Sequence, residues 1–110
     1  MEDPDFNRPS EEFRDFRDET RQMYKDCCDA TEVFEATNPL RTSIFLNYSV
    51  FLYEICEAVE DARFIANRAY NAALVHFEKL GEDHQQAALP IMQALRDNYE
   101  IWGMDVLTER

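Results

Sequence analysis

The stretch that decides the fold is residues 37–56, TNPLRTSIFLNYSVFLYEIC. It opens with Thr37 or Asn38 as a helix N-cap and with Pro39 at the first helical position, where its missing N–H costs nothing. The side chains that follow are apolar nearly all the way round, which is typical of a helix in the middle of a bundle. Alternation near the end would also suit a strand, but no glycine turn or partner strand follows. We therefore predict a helix over about 39–57.

A second helix is predicted upstream of this stretch. Ser10 can cap it, and Glu11 and Glu12 place negative charge in the first turn, where the helix dipole favours it. Mostly apolar residues then recur in alternating steps of three and four, which predicts one stripe along a helix over about 11–36. The stripe consists of Phe13, Phe16, Thr20, Met23, Cys27, Ala30 and Phe34. Residues 1–9 are polar and broken by proline, so we expect a flexible arm there.

Two further helices are predicted downstream, over about 60–80 and about 83–102. Gly81 and Gly103 mark their ends, since glycine is the usual residue just past a helix. Their apolar faces are traced by Ala62, Ile65, Ala69, Ala73, His76 or Phe77, and Leu80, and by Ala88, Ile91, Leu95, Asn98 and Trp102. Pro90 falls inside the last helix, where we expect a kink.

These elements predict the fold class. Four helices with short connections give an all-α protein, arranged as an antiparallel bundle or as a stacked array. A chain of 110 residues can bury one modest core, so we assign one domain over residues 10–103 and a short tail over residues 104–110.

Composition excludes several classes of function. Lys and Arg number 11 against 23 for Asp and Glu, and the formal charge of -12 repels nucleic acids and anionic membranes, so we expect neither as a partner. No stretch is apolar enough to span a bilayer, and the acidic start does not resemble a signal peptide. Three cysteines, Cys27, Cys28 and Cys56, suit reduced thiols better than a disulfide framework. We expect a cytoplasmic protein.

The sequence carries no recognisable catalytic or cofactor motif. The two glycines lie at predicted helix ends, which excludes a phosphate-binding glycine loop. The cysteines and the two histidines are not spaced as metal ligands. We therefore predict no metal, no cofactor and no enzymatic activity.

Two polar residues interrupt apolar faces. Glu54 lies in the most apolar helix, so its charge must be paired or must line a groove, and packing considerations alone favour a structural ion pair. Asn98 takes an apolar position in the last helix. A buried amide needs hydrogen-bond partners, and the backbone of a bound peptide would supply them.

Three segments resemble one known family. NYSVFLYEI, residues 47–55, resembles the NFSVFYYEI run of 14-3-3 proteins, and IMQALRDNYEIW, residues 91–102, resembles their IMQLLRDNLTLW. NPLR, residues 38–41, stands where the family has HPIR, at the correct distance before the first run. A weaker match runs through residues 60–74, so the resemblance covers about residues 24–104.

The resemblance implies the last four helices of a nine-helix, cup-shaped fold that dimerises and binds phosphoserine or phosphothreonine peptides. It implies that Asn47 and Asn98 hydrogen-bond the main chain of a peptide and that Glu54 and Trp102 support that groove. The apolar wall of the groove would consist of Leu46, Val50 and Ile91. This reading replaces the structural ion pair for Glu54.

The sequence departs from the family pattern in the residues that bind phosphate and in the apolar wall. The family's clamp is a Lys and an Arg from the third helix plus an Arg and a Tyr from the fifth, and no segment here corresponds to either helix. Pro90 and Ala94 replace two leucines of the wall, which makes the wall shallower. We expect an adapter half that binds protein or peptide segments, phosphorylated or not. The alternative is an assembly module that pairs with another chain through exposed apolar helix faces, as a homo-oligomer or with an obligate partner.

Overall fold

The computed structural model describes residues 10–108 of the chain, with side chains described from residue 10 to residue 105. Over this range the chain forms four α-helices and no strand, which confirms the all-α prediction. The helices are α1 (Glu11–Ala30), α2 (Pro39–Glu54), α3 (Val59–Phe77) and α4 (Glu82–Thr108). The predicted arm over residues 1–9 lies outside the described residues.

The N-termini of the first two helices follow local capping chemistry. The Ser10 Oγ accepts a hydrogen bond from the backbone N–H of Phe13 at 3.1 Å. The Asn38 Oδ1 accepts from the N–H groups of Leu40 and Arg41 at 2.9 and 3.3 Å, and Pro39 occupies the first turn. Both predicted starts are confirmed, because a cap depends only on residues within one turn of it.

The first helix ends at Ala30, so the prediction of a helix to about residue 36 is wrong. The Thr31 hydroxyl donates to the Cys28 carbonyl at 2.8 Å, and Thr31–Val33 forms a tighter 3-10 turn. Such turns commonly close helix C-termini. Phe34 then adopts an extended backbone, which turns the chain toward α2.

The second helix also ends earlier than predicted, at Glu54. Glu57 adopts a left-handed backbone with φ of 55°, and the Ala58 N–H donates to the Leu52 carbonyl at 2.8 Å. This bond joins residues six apart, so the chain wraps back over the last turn of α2 through Glu57, which takes the left-handed position that glycine usually occupies at helix ends. The sequence has no glycine here, so the ending was not recognisable. The third helix correspondingly runs over Val59–Phe77 and not to residue 80.

The fourth helix continues through Gly103 to Thr108, so the predicted end at residue 102 and the predicted tail are wrong. A Cβ at Gly103 would lie 2.7 Å from the Nη2 of Arg63. The Arg63 guanidinium crosses this position, lies 4.1 Å from the ring centroid of Tyr99 and donates through Nε to the Tyr99 carbonyl at 3.0 Å. The glycine therefore makes room for an arginine of α3. The helix runs unbroken through Pro90, and the kink there stays a prediction.

The packing centres on α3. Its buried face consists of Ala62, Ala66, Ala69 and Ala73, each 8% exposed or less. These small side chains let α2 and α4 approach closely, and Leu52, Leu95 and Trp102 fill the space between the helices. Short turns join α2 to α3 and α3 to α4, so neighbouring helices are antiparallel and α2 runs parallel to α4.

The four helices form a shallow array. The principal extents are 64 × 31 × 16 Å, and the radius of gyration of 16.5 Å exceeds the value of about 13 Å expected for a compact domain of this length. The first helix packs on α2 through Tyr24, whose ring centroid lies 5.9 Å from that of Tyr48 and 5.2 Å from that of Phe51. It reaches α3 through an ion pair between Arg21 and Asp61 at 2.9 Å. Of the two arrangements predicted, the stacked array therefore describes the molecule better.

Candidate functional site

One side of α2 is covered by none of the other described helices. Leu40, Asn47 and Glu54 recur every two turns along it and are all exposed, and they define what we call the open face of α2. On one flank of this face lies α1, through the contacts of Tyr24. On the other flank lies α4, through the contact of Tyr53 with Trp102.

Trp102 fixes the position of α4 beside α2. Its ring stacks on Tyr53 with centroids 4.7 Å apart and planes 14° apart, and only 5% of the residue is exposed. The Tyr53 hydroxyl donates a hydrogen bond to the Asp105 carboxylate from α4. Trp102 thus lies within the core at the edge of the candidate site, where it ties the two helices together.

The Tyr53–Trp102 stack also fixes the positions of Asn47 and Asn98 relative to each other along the helix axes, which we call their height. Since α2 and α4 run parallel and each residue rises 1.5 Å, Asn47 lies about 9 Å before the stack and Asn98 about 6 Å before it. The two amides therefore lie within about 3 Å of the same height on neighbouring helices. Asn47 is exposed and Asn98 is half-buried.

Neither amide is used inside the protein. Within residues 10–105, the side chains of Asn47 and Asn98 make no hydrogen bond, and the Glu54 carboxylate makes no hydrogen bond or ion pair. The structural ion pair first considered for Glu54 is therefore wrong for the described residues. By contrast, the amide oxygen of Asn38 is used as a helix cap.

The three residues predicted as an apolar wall are all half-buried. Leu46 and Val50 stand one turn apart on the side of α2 that turns toward α4, where they pack on the main core. Ile91 lies two turns before Asn98 on α4. The structure thus arranges all seven predicted residues along the α2–α4 side of the array, with six partly or fully accessible and Trp102 buried.

An apolar surface that sequence reasoning did not connect with this site borders the open face. Within α1 the stripe of Phe13, Phe16, Thr20, Met23, Cys27 and Ala30 is largely exposed: Phe16 is 69% and Met23 65% exposed. Phe34, predicted as its last member, lies beyond the helix in an extended conformation, so it does not continue the stripe. At about 100° per residue, the stripe is centred roughly 80° around α1 from the side that packs on α2. It lies on the flank nearer to Asn47 and Glu54, so the stripe and the open face adjoin.

The opposite flank of α1 borders a channel. A channel between α1 and α3, with Phe45 and Tyr48 of α2 as its floor, holds a cavity of about 400 Å³. Lys25 and Arg68 line it together with Asp29 and Glu32, so its charge is mixed. No feature of this channel selects one kind of ligand, and the candidate site is an open surface on the other side of the molecule.

Two of the three thiols are held in the protonated form. Burial, with a smaller contribution from Asp29, raises the pKa of the Cys28 thiol to about 11, and burial also raises the pKa of Cys56. A raised pKa keeps a thiol protonated and unreactive. Among the described residues no group of three or more metal-ligating side chains is found, and no described helix is long and apolar enough to cross a membrane.

Comparison with known proteins agrees with this architecture. The model of the 14-3-3 protein family matches residues 5–103. The chain is 36% identical over 93 residues to 14-3-3-like protein 2 of Caenorhabditis elegans, which is 84% of this chain and 38% of that protein. It is 38% identical over 96 residues to 14-3-3-like protein D of Nicotiana tabacum, covering 86% of this chain and 39% of that protein.

The 14-3-3 protein homolog of Neospora caninum is 35% identical over 94 residues, covering 84% of this chain and 35% of that protein. The chain thus spans somewhat over a third of the length of the relatives that it matches. Members of the family are adapter proteins and not enzymes, which agrees with the prediction of no catalytic activity. The array of four helices, the motifs at 47–55 and 91–102 and these matches together show that the chain belongs to the 14-3-3 protein family.

Proposed function

We propose that this chain is a protein-binding adapter whose α2–α4 side contacts the main chain of a protein segment through Asn47 and Asn98. The observation that carries the proposal is that both amides lie at nearly the same height on neighbouring helices and make no hydrogen bond within the described residues. Membership of the 14-3-3 family supports it, since the relatives are adapters.

The chemistry of the amides suits an extended peptide. Each carries one acceptor oxygen and two donor hydrogens, which match the alternating N–H and C=O groups of a main chain. Asn98 is half-buried, so pairing it with a ligand satisfies a group that is otherwise only partly hydrated. Leu46, Val50 and Ile91 offer apolar surface on the same side, and Glu54 accepts from a donor at the end of the open face.

Phosphate on the bound segment contributes little in this proposal. Among the described residues, the guanidinium groups of α2 and α4, those of Arg41 and Arg96, already have partners. Arg41 donates to the Phe34 carbonyl at 2.8 Å, and Arg96 pairs with Glu100 at 3.1 Å. Charge-assisted bonds from Arg or Lys are the usual source of selectivity for phosphorylated segments. We therefore expect this chain to bind a peptide and its phosphorylated form with nearly equal, weak affinity.

Titration calorimetry tests this proposal with two synthetic peptides from one protein that full-length 14-3-3 proteins bind, one carrying a phosphoserine and one not. The expected result is binding of both, with dissociation constants within about threefold of each other. A preference of more than about tenfold for the phosphopeptide, or about 1.4 kcal/mol, would mean that a phosphate site exists on this chain. Absence of binding by either peptide would contradict the adapter proposal itself.

A second candidate function is supported by the exposed α1 stripe. An aromatic side chain offers roughly 200 Å² of surface, so the exposed parts of Phe13 and Phe16 amount to roughly 220 Å², to which Met23, 65% exposed, adds. Apolar surface exposed along one face of a helix commonly marks an interface. We propose that, in this function, the chain pairs with another chain through α1, and that the groove residues are relics. Substitution of Phe16 by Glu should then abolish the pairing in light scattering at tens of micromolar.

We propose a cytoplasmic location for either function. Cys27, Cys28 and Cys56 are all free thiols, and free thiols are typical of reducing compartments.

A further inference from the structure

The fourth helix is held by its two neighbours through contacts on different sides. On the side of α2, Trp102 stacks on Tyr53, and the Tyr53 hydroxyl donates to the Asp105 carboxylate. On the side of α3, the Arg63 guanidinium lies 4.1 Å from the ring centroid of Tyr99 and donates to the Tyr99 carbonyl at 3.0 Å. Both neighbours therefore hold the same two turns of α4.

The two sets of contacts lie far apart around the axis of α4. At about 100° per residue, the midpoint of Tyr99 and Gly103 lies roughly 110° from the midpoint of Trp102 and Asp105. A rotation of α4 in either direction would therefore separate at least one set from its partners. Asn98 precedes Tyr99 in the chain, so its side chain turns with this part of the helix.

The position of the Asn98 amide is sensitive to such a rotation. The tips of side chains lie about 5–6 Å from a helix axis, so a rotation of about 20° moves them by about 2 Å. A hydrogen bond tolerates a variation in length of only about 0.5 Å. A small rotation of α4 is therefore enough to take Asn98 away from a peptide that Asn47 also binds.

Arg63 makes no other polar contact within the described residues. It is half-buried and has no ion pair there, although a charged side chain that is withdrawn from water is normally paired. Its planar guanidinium fits the gap at Gly103 instead, where a Cβ would lie 2.7 Å from Nη2 and 3.1 Å from Cζ. Atoms that are not bonded do not approach so closely, so a side chain at position 103 would displace the guanidinium. Glycine is unfavourable inside a helix, so α4 gives up helix stability at the point where α3 holds it.

We infer that Arg63 is a positioning residue for Asn98: it fixes the rotation of α4 and so holds the amide where a peptide can bind it. The inference rests on the function proposed above, because it assigns Arg63 a role in the site of Asn47 and Asn98. Arg63 contacts α4 on the side that lies about 120° from Asn98, so it acts through the helix and not on the bound segment.

Calorimetric titration of an unphosphorylated 14-3-3 target peptide tests the inference with two substitutions. Arg63→Ala removes the guanidinium, and Gly103→Ala places a methyl group where the guanidinium lies. We expect each to weaken binding at least about fivefold. Alanine is the better helix former, so a merely structural role for Gly103 predicts no such loss. Arg63→Lys should not restore binding, because an ammonium group lacks the planar fork of donors.

Matched variants control for the added methyl group and for the lost charge. Gly81→Ala adds a methyl group where no atom lies within 4 Å, and Arg68→Ala removes an exposed arginine from the same helix as Arg63. Both should bind within about twofold of the unmodified protein. Combining Arg63→Ala with Gly103→Ala should weaken binding no further than Arg63→Ala alone, because the methyl group then displaces nothing.

A second combination tests whether Arg63 acts through Asn98. In an Asn98→Ala protein, Arg63→Ala should cause no further loss of affinity, since the amide that it positions is gone. A role in stability alone would give the same loss in both backgrounds. Circular dichroism checks that each variant keeps its helices, and Gly103→Ala decides the test if Arg63→Ala does not fold.

Two results would overturn the inference. One is a Gly103→Ala variant that binds within about twofold of the unmodified protein. The other is an equal loss from Arg63→Ala in the unmodified and the Asn98→Ala proteins. If Asn98→Ala itself binds normally, the proposed function fails and the inference with it, which distinguishes that failure from a failure of the inference alone.

Discussion

The apolar faces of the first and third helices of this protein carry opposite kinds of side chain. The buried face of α3 consists of alanines, of which Ala62, Ala66 and Ala73 are 0% exposed. The apolar face of α1 carries phenylalanines and a methionine, yet Phe16 and Met23 are each more than half exposed. Small residues mark the helix that its neighbours approach most closely, whereas the large apolar stripe marks a surface that the described chain leaves uncovered. An apolar periodicity therefore shows which face needs a neighbour, but not which neighbour it has.

The largest difference expected between the two faces is in how much a substitution lowers the free energy of unfolding. Leu95 is 0% exposed between the helices that flank α3, so Leu95→Ala should lower the free energy of unfolding by about 2–5 kcal/mol. Phe16→Ala removes a larger side chain from α1 but should change it by less than about 0.5 kcal/mol. Urea denaturation monitored by circular dichroism measures both. A Phe16→Ala variant as unstable as Leu95→Ala would show that the stripe is buried in solution.

The reactivities of two adjacent cysteines report on the exposed and the buried side of α1. Cys27 is exposed on the stripe, whereas Cys28 is 4% exposed and burial raises its pKa from 9.0 to about 11. Only the thiolate reacts, so this rise lowers the reactive fraction of Cys28 roughly a hundredfold near neutral pH. We expect iodoacetamide at pH 8 to alkylate Cys27 far faster than Cys28, as read by mass spectrometry.

The rate at which Cys28 is labelled should rise with pH. Labelling of Cys28 should increase as pH rises toward about 11, because more of its thiol ionises. A Cys27→Ser variant checks that the fast reaction belongs to Cys27. Equal labelling rates for the two residues at pH 8 would mean that α1 does not stay packed on α2.

A smaller effect concerns the turn that leads into α3. Glu57 holds a left-handed backbone that disfavours side chains, so Glu57→Gly should raise the free energy of unfolding by up to about 1 kcal/mol. Glu60→Gly, in the first turn of α3, should lower it by about as much, since glycine weakens a helix. Thermal denaturation distinguishes the two. A fall in melting temperature for Glu57→Gly would show that the left-handed conformation is not kept in solution.

Local chemistry determined which parts of the fold the sequence could predict. Caps at Ser10 and Asn38 act on the next turn only, so both helix starts were predictable. The helix ends were not predictable, because each depends on a backbone conformation or on a side chain from another helix that a periodic pattern does not reveal. Glu57 takes a conformation usual for glycine, and Gly103 does not end a helix but lies within one, where its missing side chain makes room for Arg63.

The candidate site was predictable to a similar degree. Asn47, Glu54 and Asn98 come from the motifs shared with 14-3-3 proteins, and the structure adds that none of the three has an internal partner within the described residues. The burial of Trp102 against Tyr53 was not predictable, because it depends on how far α4 slides along α2.

The most direct test of the account is calorimetric titration of one unphosphorylated 14-3-3 target peptide into Asn47→Ala, Asn98→Ala and a matched Asn71→Ala variant. Asn71 is an exposed amide on α3, away from the open face. We expect at least tenfold weaker binding for Asn47→Ala and Asn98→Ala, an unchanged affinity for Asn71→Ala, and melting temperatures within about 2 °C of the unmodified protein for all three. Unchanged affinity together with a lower melting temperature for Asn47→Ala and Asn98→Ala would show that these amides support the fold and not a ligand.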